Sequence, residues 1–188
     1  MEQLLIYFAN KGIPSSELQQ VTEAFAFKKI AKGDYFVREG KTSKHLAFIT
    51  KGLFQYFYSK DGKEITTYVT AANSFLLSLL SFYKQMPSKE NIRALADSEL
   101  WMIHYDDLVK LKNSNEAFRS FYIGALENLV VGMDETRSNL IILTAEERYA
   151  LLMKNEPALL QQIPLQYLAS ILGVTPRHLS RIRNNYSL

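Results

Sequence analysis

The stretch QYLASILGVTPRHLSRIR, Gln166 to Arg183, decides the reading of this chain. Its apolar residues recur at uneven spacings, as they do where two short helices cross rather than where one helix continues. Two helices meeting steeply across a three- to four-residue turn impose local constraints. The first helix needs a small residue where the second passes over it, and Ala169 stands there. The turn needs a residue tolerant of positive φ, and Gly173 follows four residues later. Leu168, Leu172, Val174, Leu179 and Ile182 point into the angle between the helices. Thr175 can cap the second helix, and Pro176 takes the first helical position, where its missing N–H costs nothing. The segment therefore predicts a helix-turn-helix over 165–184 in preference to an ordinary helical hairpin. Behind the cap at Thr175, the second helix turns Arg177, His178, Ser180, Arg181 and Arg183 outward while Leu179 and Ile182 face in. That is the chemistry of a helix laid in a DNA major groove. Double-stranded DNA is the expected partner.

Charge is compatible with this. The net charge of +3 is mild, but beyond Glu156 every charged residue is basic. A basic end can displace counterions from phosphate, or can simply be a solvated surface. The chain has no cysteine, which excludes disulfides, thiol catalysis and cysteine-ligated zinc and fits a reducing cytoplasm. MEQLLIYFAN carries no basic stretch ahead of an apolar core, so no signal peptide is expected. FLLSLLSFY and NLIILT fall far short of the ~20 residues that span a bilayer, so no membrane partner is expected.

Upstream, residues 2–28 read as helical, with Ser16 and Gln19 spaced as a capping box. From about 30 to 105, β-rich runs alternate with glycine punctuation in GDYFVREG, HLAFITKG, LFQYFYSKDGKEITTYVT and LWMIHY. Asp61-Gly62 supplies the positive φ of a tight hairpin. LFQYFYSK reads as a barrel strand with one face inward, and Trp101 as core. Short strands at this spacing suggest an antiparallel barrel or jelly roll. A long helix follows over about 115–137. On it Phe118, Phe121, Tyr122, Ala125, Leu126, Leu129, Val130 and Met133 recur at three- and four-residue steps. That stripe is broader than one neighbour needs; it can also lie wholly within one chain. Thr144 and Glu147 cap a further helix that Pro157 ends, and the domain boundary is placed after Arg137.

A β-roll, a long helix and a C-terminal helix-turn-helix, in that order, resemble the Crp/Fnr family of bacterial transcription regulators over nearly the full length. KGDYFVREGKTSKHLAFITKGLFQYFYSKDGKEIT is similar to that family's β-roll signature, with Gly40 and Gly52 at its glycine positions. LTAEERYALLM and QYLASILGVTPRHLSRIR are similar to its DNA-binding domain. The resemblance implies an α+β chain. Residues 1–137 would form an antiparallel jelly roll of the cyclic-nucleotide-binding type plus the dimerisation helix. Residues 138–188 would form an all-α helix-turn-helix domain, a truncated winged helix whose hairpin wing is missing or vestigial. It also implies a homodimer in the cytoplasm that recognises a palindromic operator, with RNA polymerase as a further partner. The dimer residues are Phe118, Phe121, Tyr122, Ala125, Leu129 and Met133.

Two departures qualify the resemblance. Cyclic-AMP-binding members carry Gly-Glu and Arg-Ser pairs. Those positions fall here on Leu77 and Ser78 and near Ser88 and Lys89. Cyclic AMP is therefore not expected, no cofactor is implied, and any effector would be apolar, in a pocket lined by Phe75, Leu77, Ser78, Leu80 and Lys89. In the recognition helix, Arg177 replaces the family's frequent Glu, while Arg181 keeps the base-reading position. An enzyme is not expected. His45, His104 and His178 are scattered in sequence, with no metal spacing, phosphate loop or catalytic triad. The remaining alternative is a sensor module of the same fold that no longer binds DNA.

Overall fold

The computed structural model describes residues 1–186. Two short helices, α1 (Glu2–Asn10) and α2 (Ser15–Glu23), lead into eight strands. These are β1 (Ala26–Ile30), β2 (Tyr35–Val37), β3 (His45–Lys51), β4 (Leu53–Lys60), β5 (Lys63–Ala71), β6 (Phe75–Leu76), β7 (Asn91–Ala94) and β8 (Ser98–His104), with α3 (Leu79–Lys84) between β6 and β7. They form two four-stranded antiparallel sheets, ordered β1-β8-β3-β6 and β2-β7-β4-β5. Alternate side chains of both sheets, among them Val37, Ile49, Phe54, Tyr56, Ile92 and Leu100, meet between them in one core. The β4–β5 hairpin turns on Asp61 and Gly62, whose φ values of 51° and 73° are the pair that a two-residue turn demands.

The N-terminal reading needs correction. Residues 26–28 belong to β1, and α2 starts at Ser15 behind Pro14, with no side-chain cap. Ser16 thus lies inside the helix, and Gln19 donates to Glu23 rather than closing a capping box. β4 also departs from a one-faced strand, since Leu53 to Phe57 are all buried. Phe54 and Tyr56 enter the roll and Leu53 joins a helical core outside it, while Gln55 donates to Thr66 and accepts from Arg93.

Beyond the roll run α4 (Tyr105–Ser114) and the long α5 (Glu116–Ile142). Asn115 caps α5 by accepting from the Phe118 N–H at 2.7 Å. The helix passes its expected end near Arg137 without a break and runs to Ile142. Its apolar stripe divides in two. Phe118 and Tyr122 are buried with Leu4, Phe8 and Leu108 in the chain's own core, which corrects their assignment as dimer residues. Leu129, Val130 and Met133 are 40%, 65% and 52% exposed.

Four helices complete the described chain: α6 (Ala145–Asn155), α7 (Pro157–Gln162), α8 (Leu165–Ile171) and α9 (Pro176–Tyr186). Thr144 and Glu147 form the expected capping box on α6. Pro157 ends α6 but also opens α7, an extra turn of helix that the sequence reading passed over. The helical unit packs on the roll: Leu53 and Val69 share a core with Leu168, Ala169 and Leu172, and Ser170 Oγ donates to the Thr66 carbonyl at 2.9 Å. The expected absence of a wing concerns the chain beyond Tyr186, outside the described residues.

Candidate nucleic-acid interface

Gly173, at φ +69°, turns the chain between α8 and α9. The Val174 N–H returns to the Ala169 carbonyl at 2.9 Å, which closes α8. Thr175 Oγ1 accepts from the His178 N–H at 3.2 Å and caps α9. Leu168, Ala169, Leu172, Leu179 and Ile182 are all at most 2% exposed, and Val174 is half-buried beside them. Each fully buried leucine or isoleucine contributes about 1.5–3 kcal/mol, enough to hold two such short helices in one arrangement.

The opposite face of α9 is open. Thr175, Arg177, His178, Ser180, Arg181 and Arg183 are all exposed. Arg177 and Arg181, one turn apart, line the same small cavity of about 260 Å³ with Glu146 and Asn185. Members of this face besides Thr175 are engaged within the chain. His178 Nε2 lies 3.0 Å from Glu146 Oε1, and the Ser180 hydroxyl donates to the Pro176 carbonyl of its own helix. The Glu146 carboxyl is held below its ordinary range, first by its own backbone N–H and then by His178.

Sequence reasoning missed Arg148. Its guanidinium donates to the Leu143 carbonyl at the end of α5 and to the Leu172 carbonyl at the end of α8, at 2.7 Å for the latter. One side chain thus ties the helical unit to the long helix. Nothing local in EERYALL marks Arg148 out, because both partners arrive through the fold.

The positions aligned with a nucleotide cassette lie elsewhere, at the α3 end of the roll. Ser78 is 2% exposed; its hydroxyl is 3.1 Å from that of Ser88 and donates to Glu90 Oε1 at 2.7 Å. Glu90, which sequence reasoning missed, carries a carboxyl pushed above its ordinary value by burial. Leu77 and Phe75 line a separate cavity of about 800 Å³ between α1, α5 and the roll, with Tyr7, Tyr83, Phe121 and Ala125. Leu80 is 52% exposed and Lys89 is also exposed; neither lines that cavity, nor does Ser78, so of the residues expected around an effector only Phe75 and Leu77 border it. α3 turns Leu80 outward, and the β7 approach carries Lys89 to the surface.

His45 and His104, far apart in sequence, stand opposite each other on β3 and β8 with ring centroids 5.2 Å apart. Among the described residues no group of three or more His, Cys, Asp or Glu could hold a metal ion.

A two-sheet roll, a long helix and a basic helix pair define an architecture that known proteins share. Residues 27–115 match the family model of the cyclic nucleotide-binding domain. The chain's fold is similar to that of the catabolite activator protein of Thermus thermophilus, at 19% identity and a TM-score of 0.59, covering 94% of this chain and 84% of that one. It is also similar to the c-di-GMP-responsive global regulator CLP of Xanthomonas campestris, at 17% identity and a TM-score of 0.67, covering 92% and 91%. A Crp/Fnr-family structure from Eubacterium rectale aligns at 14% identity and a TM-score of 0.65, covering 93% and 83%. The chain therefore shares the fold of such regulators, a Crp/Fnr-family structure among them, and its roll is the part that matches the cyclic nucleotide-binding domain model. No curated protein matches. Among the described residues no helix is long and apolar enough to cross a membrane.

Proposed function

We infer that this chain is a DNA-binding transcription regulator of the Crp/Fnr type. It would bind a palindromic operator as a homodimer, with RNA polymerase as a further partner and no control by cyclic AMP. The observation that carries the reading is the two-sided character of α9: Leu179 and Ile182 are 0% and 1% exposed while three arginines stand on the open face. Arg177 and Arg181 reach base edges, and Arg183, nearer the helix end, reaches phosphate. The free apolar half of α5, Leu129 to Met133, supports pairing with a second copy. Two-fold symmetry then sets the two α9 helices about one DNA turn apart, ~34 Å.

The carboxyl of Glu90 supports the exclusion of cyclic AMP. It accepts from Ser78, whose hydroxyl meets that of Ser88, where a cyclic phosphate would need a cation, and an unpaired buried anion is strongly disfavoured. Calorimetry with cyclic AMP is expected to give no one-per-chain site of micromolar or tighter affinity.

Mobility-shift titration on an operator selected from random duplexes tests the main reading. Affinity is expected to fall steeply with salt as phosphates are neutralised. Arg181→Ala is expected to cost roughly 1–3 kcal/mol and to relax specificity at one base pair, whereas Arg183→Ala weakens all sequences alike. Undiminished operator binding by Arg181→Ala would show that α9 does not read the bases.

A further inference from the structure

A second polar site lies at the loop between β2 and β3. After β2 the chain runs REGKTSK, Arg38 to Lys44, before entering β3 at His45. This loop is firmly held. The Gly40 N–H donates to the Ser88 carbonyl at 2.8 Å, the Ser88 N–H returns to the Lys41 carbonyl at 3.0 Å, and Glu39 N–H donates to Asn91 Oδ1 at 3.0 Å. A cavity of about 360 Å³ opens beside it, lined by Tyr35, Arg38, Lys41, Ser43, Lys44 and His45 among others.

Two independent features give this cavity a chemistry. Arg38, Lys41 and Lys44 are exposed, and no described carboxylate lies within ion-pair distance of any of them. Arg38 is instead steadied over the Tyr35 ring at 4.1 Å. The second feature is Ser43. It lines this cavity, is 2% exposed and its N–H donates to Ser81 Oγ at 2.9 Å, yet its own buried hydroxyl has no partner among the described residues. A buried hydroxyl without a hydrogen bond costs the free chain about 1–3 kcal/mol, and a ligand acceptor would remove that cost.

We propose that the β2–β3 loop is a binding site for a small phosphate-bearing anion, gripped by Arg38, Lys41 and Lys44 and receiving a hydrogen bond from Ser43. Phosphate chemistry fits because three cations line one cavity with no acid among its lining residues, and a neutral buried donor, Ser43, lines it with them. Charge-assisted bonds to phosphate oxygens are the strong class of hydrogen bond, and the arginine fork adds geometric selectivity. The site is distinct from the positions aligned with the cyclic-nucleotide cassette, and it does not depend on the chain binding DNA. It meets the cassette segment through backbone bonds at Ser88, the Ser81 hydroxyl, the Asn91 side chain and a bridge between Thr42 and Pro87, so occupancy would stiffen the α3–β7 connection.

The test is calorimetry of the full chain at low ionic strength with inorganic pyrophosphate, and in a parallel arm with ribose 5-phosphate to tell free phosphate from a phosphoryl ester. One site per chain is expected for at least one probe. The paired change Lys41→Ala and Lys44→Ala is expected to weaken it at least about tenfold, with the circular-dichroism spectrum unchanged because both side chains are exposed. Ser43→Ala separates binding from folding: it is expected to weaken the probe severalfold while keeping or raising Tm, since it deletes an unsatisfied group. The proposal is overturned by any of three outcomes. The first is absence of binding by both probes at millimolar concentration. The second is binding that survives the lysine changes but disappears in Arg181→Ala, which would place the anion on α9. The third is a lysine pair that weakens DNA binding while neither probe binds, which would make the loop a nucleic-acid contact.

Discussion

Glu90 shows how one side chain alters what a shared fold can hold. Burial raises its pKa above the ordinary 4.5, against the hydrogen bond from Ser78, which lowers it. Between those two pH values the folded chain binds more protons than the unfolded chain. Its contribution to stability is therefore fully present below 4.5 and is lost as pH rises through the raised value. Glu90→Gln removes the titration while its carbonyl can still accept from Ser78. The variant is expected to melt at a higher temperature than the parent at pH 7, with the difference vanishing near pH 4. Thermal melts across that range check it, and equal pH dependence in both proteins would sink the argument. Arg148 acts at the same scale by a different route, since its two acceptors close the ends of two helices that meet only in the folded chain.

Single elements carry the next set of consequences. The α6 cap is a complete reciprocal pair, with Thr144 Oγ1 accepting at 3.2 Å from the Glu147 N–H and the Glu147 carboxylate accepting at 2.8 Å from the Thr144 N–H. Thr144→Ala leaves first-turn donors unmatched and is expected to cost about 0.5–2 kcal/mol in urea denaturation. On α5 the division of the apolar stripe allows a cleaner test than the whole helix would. Val130 is 65% exposed, so Val130→Glu disturbs nothing inside the chain. Sedimentation at micromolar concentration is expected to show a dimer for the parent and a monomer for Val130→Glu, with the same circular-dichroism spectrum. A parent that sediments as a monomer with and without DNA would dispose of the paired helix.

At the scale of the whole molecule, the helical unit and the roll share a core. Leu53 and Val69 lie among Leu168, Ala169 and Leu172, and Ser170 is bonded to Thr66. Two bodies joined by buried apolar surface unfold together when neither can lose the contact cheaply. Trp101 is the single tryptophan and reports on the roll, where it packs 5.3 Å from Phe27, while far-UV circular dichroism is dominated by the helices. The two signals are expected to give one midpoint in urea. A helical transition clearly ahead of the tryptophan signal would show the shared core to be too weak to couple them.

The features legible in the sequence are those whose causes lie within a few residues. Gly173 and Thr175 punctuate α8 and α9, Asp61-Gly62 turns the β4–β5 hairpin, Thr144 and Glu147 open α6, and Leu179 and Ile182 set the inner face of α9. Backbone sterics, capping and helical period act locally, so a linear reading suffices for the helix pair and most of its candidate DNA face. Short strands such as β6 and β7 lie outside that reach, because two to four residues become a strand only through the partner strand that completes their hydrogen bonds. The two buried faces of β4, the pairing of His45 with His104 and the union of Ser78, Ser88 and Glu90 depend likewise on chain that returns from elsewhere. So does the fate of the α5 stripe. Its period marks an apolar face from Phe118 to Met133, but only the arrival of α1 and α4 over its first turns determines that Phe118 and Tyr122 are core while Val130 and Met133 stay free. Burial is a relation between distant segments, and tertiary structure is where that relation is made.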